Sequence, residues 1–241
     1  MRIFTLLAVA SLAVAPVLAD WNVGDPYKMH FPQLPDPTGW DVNATFPNVV
    51  ADDWLCTETG PVTDFHLWIS THGYNGPPPI TGIHLSIHAN QPGPPFSQPA
   101  GPPALWVLDL PVPMPGITIR PYGEGPEGWY DPATGQFNRP DHDVFYQINV
   151  TGFPNPFVQQ AGTIYWLDAS FLTPAGVPPV GWKTSMDQFM DAAVWGLGPA
   201  IVWQPLYDPE TGGPLDMAFV ITPEPASLLA LGLLALGLRR R

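Results

Sequence analysis

Proline is the feature that most limits how this chain can fold: 34 of its 241 residues are proline. Proline fixes its backbone φ angle and lacks an N–H, so helix interiors and central strands exclude it. A further 23 residues are glycine, which suits turns. The 10 Trp, 12 Phe and 7 Tyr residues supply apolar surface for a packed core. We therefore predict a folded chain of short strands joined by turns and loops.

Alternation of apolar and polar residues with a period of two indicates strands between these turns. The strand-like runs are 64–70, 83–88, 105–110, 117–122, 144–150, 163–171, 201–206 and 215–221. No sustained alternation of strands with helices follows, which disfavours a parallel α/β sheet. We predict one all-β domain over residues 20–221, an antiparallel β-sandwich of the jelly-roll or immunoglobulin-like kind, rich in loops. At most one short helix is expected, over 185–195, with Ser185 as its N-cap.

Residues 1–19 have the features of a secretory signal peptide. Arg2 precedes a short apolar run over 3–14, and Ala19 is the small residue at the predicted cleavage site. The mature chain then begins at Asp20. A retained N-terminal anchor is the alternative, and the lack of a long apolar continuation disfavours it.

Residues 222–241 carry a second targeting pattern. Pro223, Glu224 and Pro225 precede a short apolar stretch over 226–238, predicted to be a hydrophobic helix, and the chain closes on Arg239, Arg240 and Arg241. Thirteen helical residues are short for a bilayer core, which needs about 20. The three features in this order resemble a PEP-CTERM sorting signal. That resemblance implies handling by an exosortase together with the secretion machinery, a transient membrane anchor, and delivery to the cell envelope or outside the cell. A plain C-terminal tail anchor is the alternative.

The chain between the two signals also resembles a known type of domain. The segments that carry the likeness are 50–56, 60–68, 83–88, 181–185 and 216–221. They are similar to an uncharacterised extracellular domain of planctomycete-type secreted proteins. The resemblance implies a single domain of β-sandwich character and carries over no activity or functional residue.

The charge of the predicted domain excludes two classes of partner. Twenty acidic residues face only four basic ones, Lys28, Arg120, Arg139 and Lys183. Nucleic-acid binding needs a basic patch, so we expect no nucleic-acid partner. Contact with a membrane is expected only through the C-terminal tail, since the domain lacks the cations that dock on anionic lipid. Cys56 is the single cysteine and is expected to be a buried apolar residue, so no intramolecular disulfide forms.

Carboxylates near turns suggest a calcium hypothesis. Asp141 and Asp143 lie on one side of an extended segment, and Asp131 starts a nearby turn. Oxygen ligands of this kind suit Ca²⁺. Solvated turn carboxylates are the simpler interpretation, and Asp52 with Asp53 forms a weaker candidate pair. Apart from this structural calcium, no cofactor is expected.

Three function classes remain open for the domain. The first is a structural or adhesive surface protein, which we prefer because no catalytic motif occurs. The second is a module that binds carbohydrate through exposed aromatic rings, with exopolysaccharide as the partner. Its candidate platforms are Trp68, Trp106, Trp129 and Tyr130. The third is a glycoside hydrolase, whose carboxylate spacing is set in space rather than in sequence. His84 and His88 lie four residues apart on one strand, too far along it to share a metal directly. We expect no enzymatic activity.

Overall fold

The computed structural model describes residues 20–198 and 200–222. The predicted signal peptide with Ala19, and the sorting tail with Pro223, Glu224, Pro225 and the three terminal arginines, lie outside the described residues. Within the described part of the chain the fold is all-β, as predicted, and contains no helix. No helix there is long and apolar enough to cross a membrane.

The strands follow one another in chain order and are mostly short. They are β1 Trp40–Asn43, β2 Asn48–Leu55, β3 Gly60–Val62, β4 Asp64–Thr71, β5 Gly82–Gln91, β6 Gln98–Pro99, β7 Trp106–Pro111, β8 Ile117–Asp131, β9 Gln136–Thr151, β10 Phe157–Gln159, β11 Ile164–Leu172, β12 Val180–Ser185, β13 Val194–Leu197, β14 Gln204–Pro205, β15 Asp216–Met217 and β16 Phe219–Thr222. The predicted run over 201–206 contains only the two residues of β14. The other predicted runs overlap strands.

The first sheet curls until it closes on itself. Its order is β15-β12-β1-β8-β9-β4-β16, and β12 also pairs with β4. Strands β12, β1, β8, β9 and β4 therefore form a closed ring. The segment β15–β16 lies where β12 and β4 separate, because β15 pairs with β12 and β16 pairs with β4.

One pairing in this ring corrects the purely antiparallel prediction. Strand β1 runs parallel to β8, with Asp41 opposite Trp129. The two strands are far apart in the chain, so their relative direction could not follow from local alternation.

The second sheet has the order β14-β13-β2-β11-β5-β6, and β7 also pairs with β5. A separate two-stranded sheet joins β10 to β3. The two large sheets share one hydrophobic core, since Leu85 and Leu167 of the second sheet pack in the same buried cluster as Phe65 and Leu67 of the first. A smaller cluster of Ala51, Trp166 and Val194 lies on the other face of the second sheet.

The helix considered over 185–195 does not form. Ser185 does accept a hydrogen bond from the backbone N–H of Asp187, at 3.0 Å, as a cap would. The chain then turns instead, because Asp216 Oδ2 accepts the N–H of Phe189 and Met190 has a positive φ of 57°. A left-handed residue at that position ends any helical continuation.

Candidate functional site

Four ionisable side chains meet on one face of the closed ring. Asp41 on β1 lies directly opposite Lys183 on β12, and Glu127 on β8 lies directly opposite His142 on β9. Strand β1 also pairs with β8, which makes the two cross-strand pairs neighbours. All four side chains are 0% exposed. We call them the ion cluster.

The ion cluster alternates two cations with two carboxyl groups. Lys183 Nζ lies 2.7 Å from Glu127 Oε2 and 3.4 Å from Asp41 Oδ2. His142 Nε2 lies 3.1 Å from each of the same two oxygens. The ring of Phe145 has its centroid 5.1 Å from Lys183 Nζ. Each carboxyl group therefore meets both cations.

The surroundings assign different protonation states to the two carboxyl groups. Burial, assisted by the neighbouring Asp41 carboxylate, raises the pKa of Glu127 to about 8. Burial also acts to raise the pKa of Asp41, but the Lys183 ammonium and the bond from His142 outweigh it and hold that pKa well below its usual range. Burial disfavours a charged imidazole, yet the bonds to Asp41 and Glu127 raise the pKa of His142 to about 10. These directions favour an ionised Asp41, a protonated His142 and a neutral Glu127.

Three members of the cluster have the spacing of metal ligands. One ligand atom each from Asp41, Glu127 and His142 lies within 4.8 Å of the others. Carboxylate oxygen and imidazole nitrogen are ligands that zinc accepts. Lys183 Nζ, however, already lies against both carboxyl groups and supplies the positive charge that an ion would bring. We therefore assign these residues to an ion cluster and not to a metal centre.

The three predicted calcium ligands have separate local contacts. Asp141 Oδ2 accepts the N–H of Gly73 at 2.6 Å and lies 2.9 Å from His142 Nδ1, so it orients the imidazole of the ion cluster. Asp131 Oδ1 accepts the N–H of Ala133 in the turn between β8 and β9. Asp143 is exposed. Among the described residues these three do not form a group with ligand spacing.

Buried carboxylates converge instead near the weaker pair found in the sequence. Asp53 is fully buried and neither of its carboxylate oxygens has a hydrogen-bond partner. Burial, then the charges of Asp216 and Asp191, raise its pKa to about 8. Asp52 Oδ2 accepts hydrogen bonds from Gln33 Nε2 and the N–H of Met217. Sequence reasoning identified Asp52 and Asp53 but missed Asp191 and Asp216, which β2 meets only through the fold.

On the second sheet, Asp168 of β11 joins the two histidines of β5. His88 Nε2 lies 2.9 Å from Asp168 Oδ2, and His84 Nε2 lies 3.7 Å from Oδ1. Ser86 Oγ donates to Asp168 Oδ2 at 2.7 Å. Although the histidines are distant along the strand, both rings turn toward one carboxylate.

This arrangement has the residues of a catalytic triad but not its order. Ser86 Oγ is 2.8 Å from His88 Nε2, and Asp168 contacts that same nitrogen. His88 Nδ1 is directed at the carbonyl of Ala100 instead, at 3.1 Å. A triad base stands between serine and acid, with the acid on its other nitrogen. The three groups form a hydrogen-bonded triangle, which lacks that relay.

Two depressions adjoin this part of the second sheet. The first, of ≈ 610 Å³, contains the polar groups of His84, Asp109 and Ser170 between the apolar walls of Phe46 and Leu172. His84 Nδ1 lies 2.7 Å from Asp109 Oδ1. The second, of ≈ 570 Å³, is lined by His88 and Trp203 among others. Ile201 lines both depressions, so they are adjacent.

The predicted sugar platforms lie elsewhere, and two of them need correction. Trp68 is 0% exposed and packs edge-on against Tyr122, while Trp129 is 3% exposed and stacks on His72. Both rings are buried, so neither can receive a sugar. Trp106 is half-buried and its Nε1 donates to the carbonyl of Asn155. Tyr130 is half-buried against Trp40.

Sequence reasoning missed the ion cluster. Its one available signal was Lys183, a basic residue beside Trp182 in a short run of strand-forming residues, in a domain with only four basic residues. Nothing in the sequence joins it to Asp41, which lies 142 positions away. Cys56, as expected, is buried and free.

Comparison with known proteins gives a family without a function. A family model described as Domain of unknown function (DUF7901) matches residues 29–222. No curated protein matches the chain, and no solved structure does. The matched range contains every strand from β1 to β16, and with them the ion cluster and both depressions.

Proposed function

We propose, from the premise that this chain belongs to the DUF7901 family, that it is an exported surface or matrix protein of the cell envelope with a structural or adhesive role. The two terminal targeting patterns support export and transient anchoring, with exosortase and the secretion machinery as partners. The acidic surface of the domain supports solubility outside the cell. Adhesion then requires a surface that can hold an extracellular ligand.

The observation that carries the adhesive role is the first depression on the second sheet. Its hydrogen-bonding groups, His84, Asp109 and Ser170, stand between apolar walls that include the 52% exposed ring of Phe46. Sugars present both apolar faces and hydroxyl groups, so a site of this mixed kind suits them. We propose a segment of envelope exopolysaccharide as the ligand, extending toward Trp203 in the second depression.

Binding accounts for this geometry better than glycoside hydrolysis. A glycosidase places two carboxyl groups on either side of the scissile bond, at least about 5 Å apart, where substrate can reach them. Asp41 and Glu127 both contact His142 Nε2 and are 0% exposed. Asp109, which lines the first depression, is paired with His84, and Asp168 is buried and paired with His88.

We also propose that the domain is a β-sandwich. Two sheets that share one hydrophobic core favour a β-sandwich of the jelly-roll or immunoglobulin-like kind, here with the first sheet closed into a ring. The parallel pair β1–β8 departs from the usual pattern. A sandwich offers the outer face of one sheet as a binding surface.

The test is to titrate the purified protein with envelope polysaccharides and to measure the heat of binding by isothermal titration calorimetry. We expect saturable binding that Phe46→Ala and Asp109→Ala each weaken about tenfold, the loss of one good contact of about 1.4 kcal/mol. Phe137→Ala is the matched control, because Phe137 is an exposed ring on β9 of the other sheet. Equal loss in the control, or no saturable binding to any polysaccharide, would contradict the adhesive site.

A further inference from the structure

The ion cluster has the geometry of a reaction between two of its own side chains. Lys183 Nζ is 2.7 Å from Glu127 Oε2, and both groups are 0% exposed. The second oxygen of Glu127, Oε1, is buried without a hydrogen-bond partner, and so is Asp41 Oδ1. A salt bridge built for stability alone normally satisfies such oxygens. The cluster holds the Lys183 amine against a Glu127 carboxyl group that also shares a hydrogen bond with Asp41.

We propose that Lys183 and Glu127 condense to an intramolecular isopeptide bond between Nζ and Cδ. The inference goes beyond the adhesive role and rests on none of the groups that line the depressions. It makes the ion cluster a self-modification site of the folded chain.

The step balances with the groups already present. The Lys183 ammonium passes one proton to the Asp41 carboxylate, whose Oδ2 is 3.4 Å away. The free amine attacks Cδ of the neutral Glu127 acid, the C–OH bond breaks, and the second amine proton leaves with the hydroxyl group as water. One N–C bond forms, one C–O bond breaks, and Asp41 ends as a neutral acid. Nothing is oxidised or reduced.

His142 is placed to assist the same step. Its Nε2 is 3.1 Å from Glu127 Oε2, where negative charge develops when the amine adds. A donor fixed at that oxygen stabilises the tetrahedral intermediate, as in an oxyanion hole. Asp141 holds the other ring nitrogen at 2.9 Å and so fixes the orientation of the imidazole.

The surroundings favour condensation over hydrolysis. All four side chains are shielded from solvent, and the Phe145 ring lies against the amine. Excluding water removes the reactant that would reverse amide formation and strengthens every charge interaction in the site. Release of the single product water to bulk then makes the product persist.

The bond would connect strands that are not adjacent. Lys183 is on β12 and Glu127 is on β8, and β1 lies between them in the ring. The cross-link would therefore span β1 and covalently join two strands of the ring at positions 56 residues apart in the chain. For a protein held at a surface, it would keep the ring closed under force.

Trypsin gives a direct test on the unaltered chain. Arg120 and Arg139 each precede proline, which blocks trypsin, so the Lys183–Thr184 bond is the single cleavable site within residues 29–222. After denaturation, we expect that bond to resist trypsin and the 29–222 region to stay in one piece. Its mass should be lower than the sequence mass by one water, and a pepsin digest should yield a peptide that joins Lys183 to Glu127.

Two variants separate the chemistry from the fold. Lys183→Arg keeps a positive charge but has no nucleophilic amine, so the full sequence mass and cleavage at this position should return. Asp41→Asn removes the proton acceptor and should slow or abolish the loss of water. Cooperative thermal unfolding of both variants shows that they are folded. Wild-type protein with the full sequence mass and complete cleavage after Lys183, or a cross-link of Lys183 to another residue, would overturn the proposal.

Discussion

Lys183 on β12 and Asp41 on β1 are direct cross-strand partners, although 142 positions separate them in the chain, and both side chains are completely buried. Their pairing positions the amine of Lys183 against Glu127 on the next strand. Each member of the ion cluster depends on the others, because an unpaired charge is costly where water cannot reach it.

Removing the amine should therefore destabilise the fold. We expect Lys183→Met to have a free energy of unfolding about 3–5 kcal/mol below that of Lys183→Arg, which also cannot form the cross-link, since the methionine leaves Asp41 with one fewer cation in a buried site. Urea unfolding at neutral pH measures the change. Adding Asp41→Asn should recover part of the loss by removing the stranded charge.

The control for that experiment is a partly exposed ion pair. Arg139 lies 3.6 Å from Glu210, and both side chains are partly solvated. Arg139→Met should cost less than about 1 kcal/mol. If Lys183→Met and Arg139→Met lower the free energy of unfolding equally, the ion cluster has no special role in stability.

The buried carboxylates near Asp53 should make stability fall as the pH rises. Burial and the neighbouring Asp216 and Asp191 raise the pKa of Asp53 from 3.8 to about 8. A raised pKa means that the folded state favours the protonated form of Asp53. The contribution of Asp53 to the stability of the fold is therefore complete below pH 3.8 and is lost as pH rises through about 8. We expect the melting temperature of Asp53→Asn to fall less than that of the wild type as the pH rises over this window.

Asp143→Asn is the matched control, because Asp143 is exposed. It should leave the slope of melting temperature against pH unchanged. An Asp53→Asn variant whose melting temperature depends on pH just as the wild type's does over this window would contradict the raised pKa of Asp53.

His30 should have the opposite effect on the acid side. Burial lowers its pKa from 6.5 to about 4, so the folded state favours the neutral ring. Its contribution is present above pH 6.5 and is lost as pH falls through about 4. His30→Asn keeps an acceptor for the N–H of Leu55, which now donates to His30 Nδ1. We expect the variant to lose less stability than wild type over this window, as measured by urea unfolding at successive pH values.

Two tryptophans should differ in what they contribute. Trp68 is fully buried, so Trp68→Ala should cost about 3–5 kcal/mol in unfolding free energy. Trp203 is half-buried and lines the second depression, so Trp203→Ala should cost less stability but weaken polysaccharide binding. A binding loss confined to Trp68→Ala, in folded protein, would show that the ligand lies elsewhere.

The candidate sites show where sequence reasoning reaches its limit. The sequence predicts Asp141 as a calcium ligand, but in the fold it contacts His142 and the N–H of Gly73, a residue 68 positions earlier. The sequence predicts Trp129 as a sugar platform, but its ring stacks on His72, which directly follows β4. In both cases a contact that decides the role of the side chain comes from a distant segment, Gly73 for Asp141 and His72 for Trp129.

Local physical chemistry determined the all-β class of this protein: proline excludes long helices, and alternation with a period of two forms strands wherever turns allow. The same local rules determined the buried state of Cys56 and the acidic character of the domain. Only the tertiary structure decided that β1 runs parallel to β8, that Ser185 caps a turn and not a helix, and that Lys183 meets Glu127. Strand formation depends on neighbours in sequence, whereas pairing partners depend on which distant surfaces the core brings together.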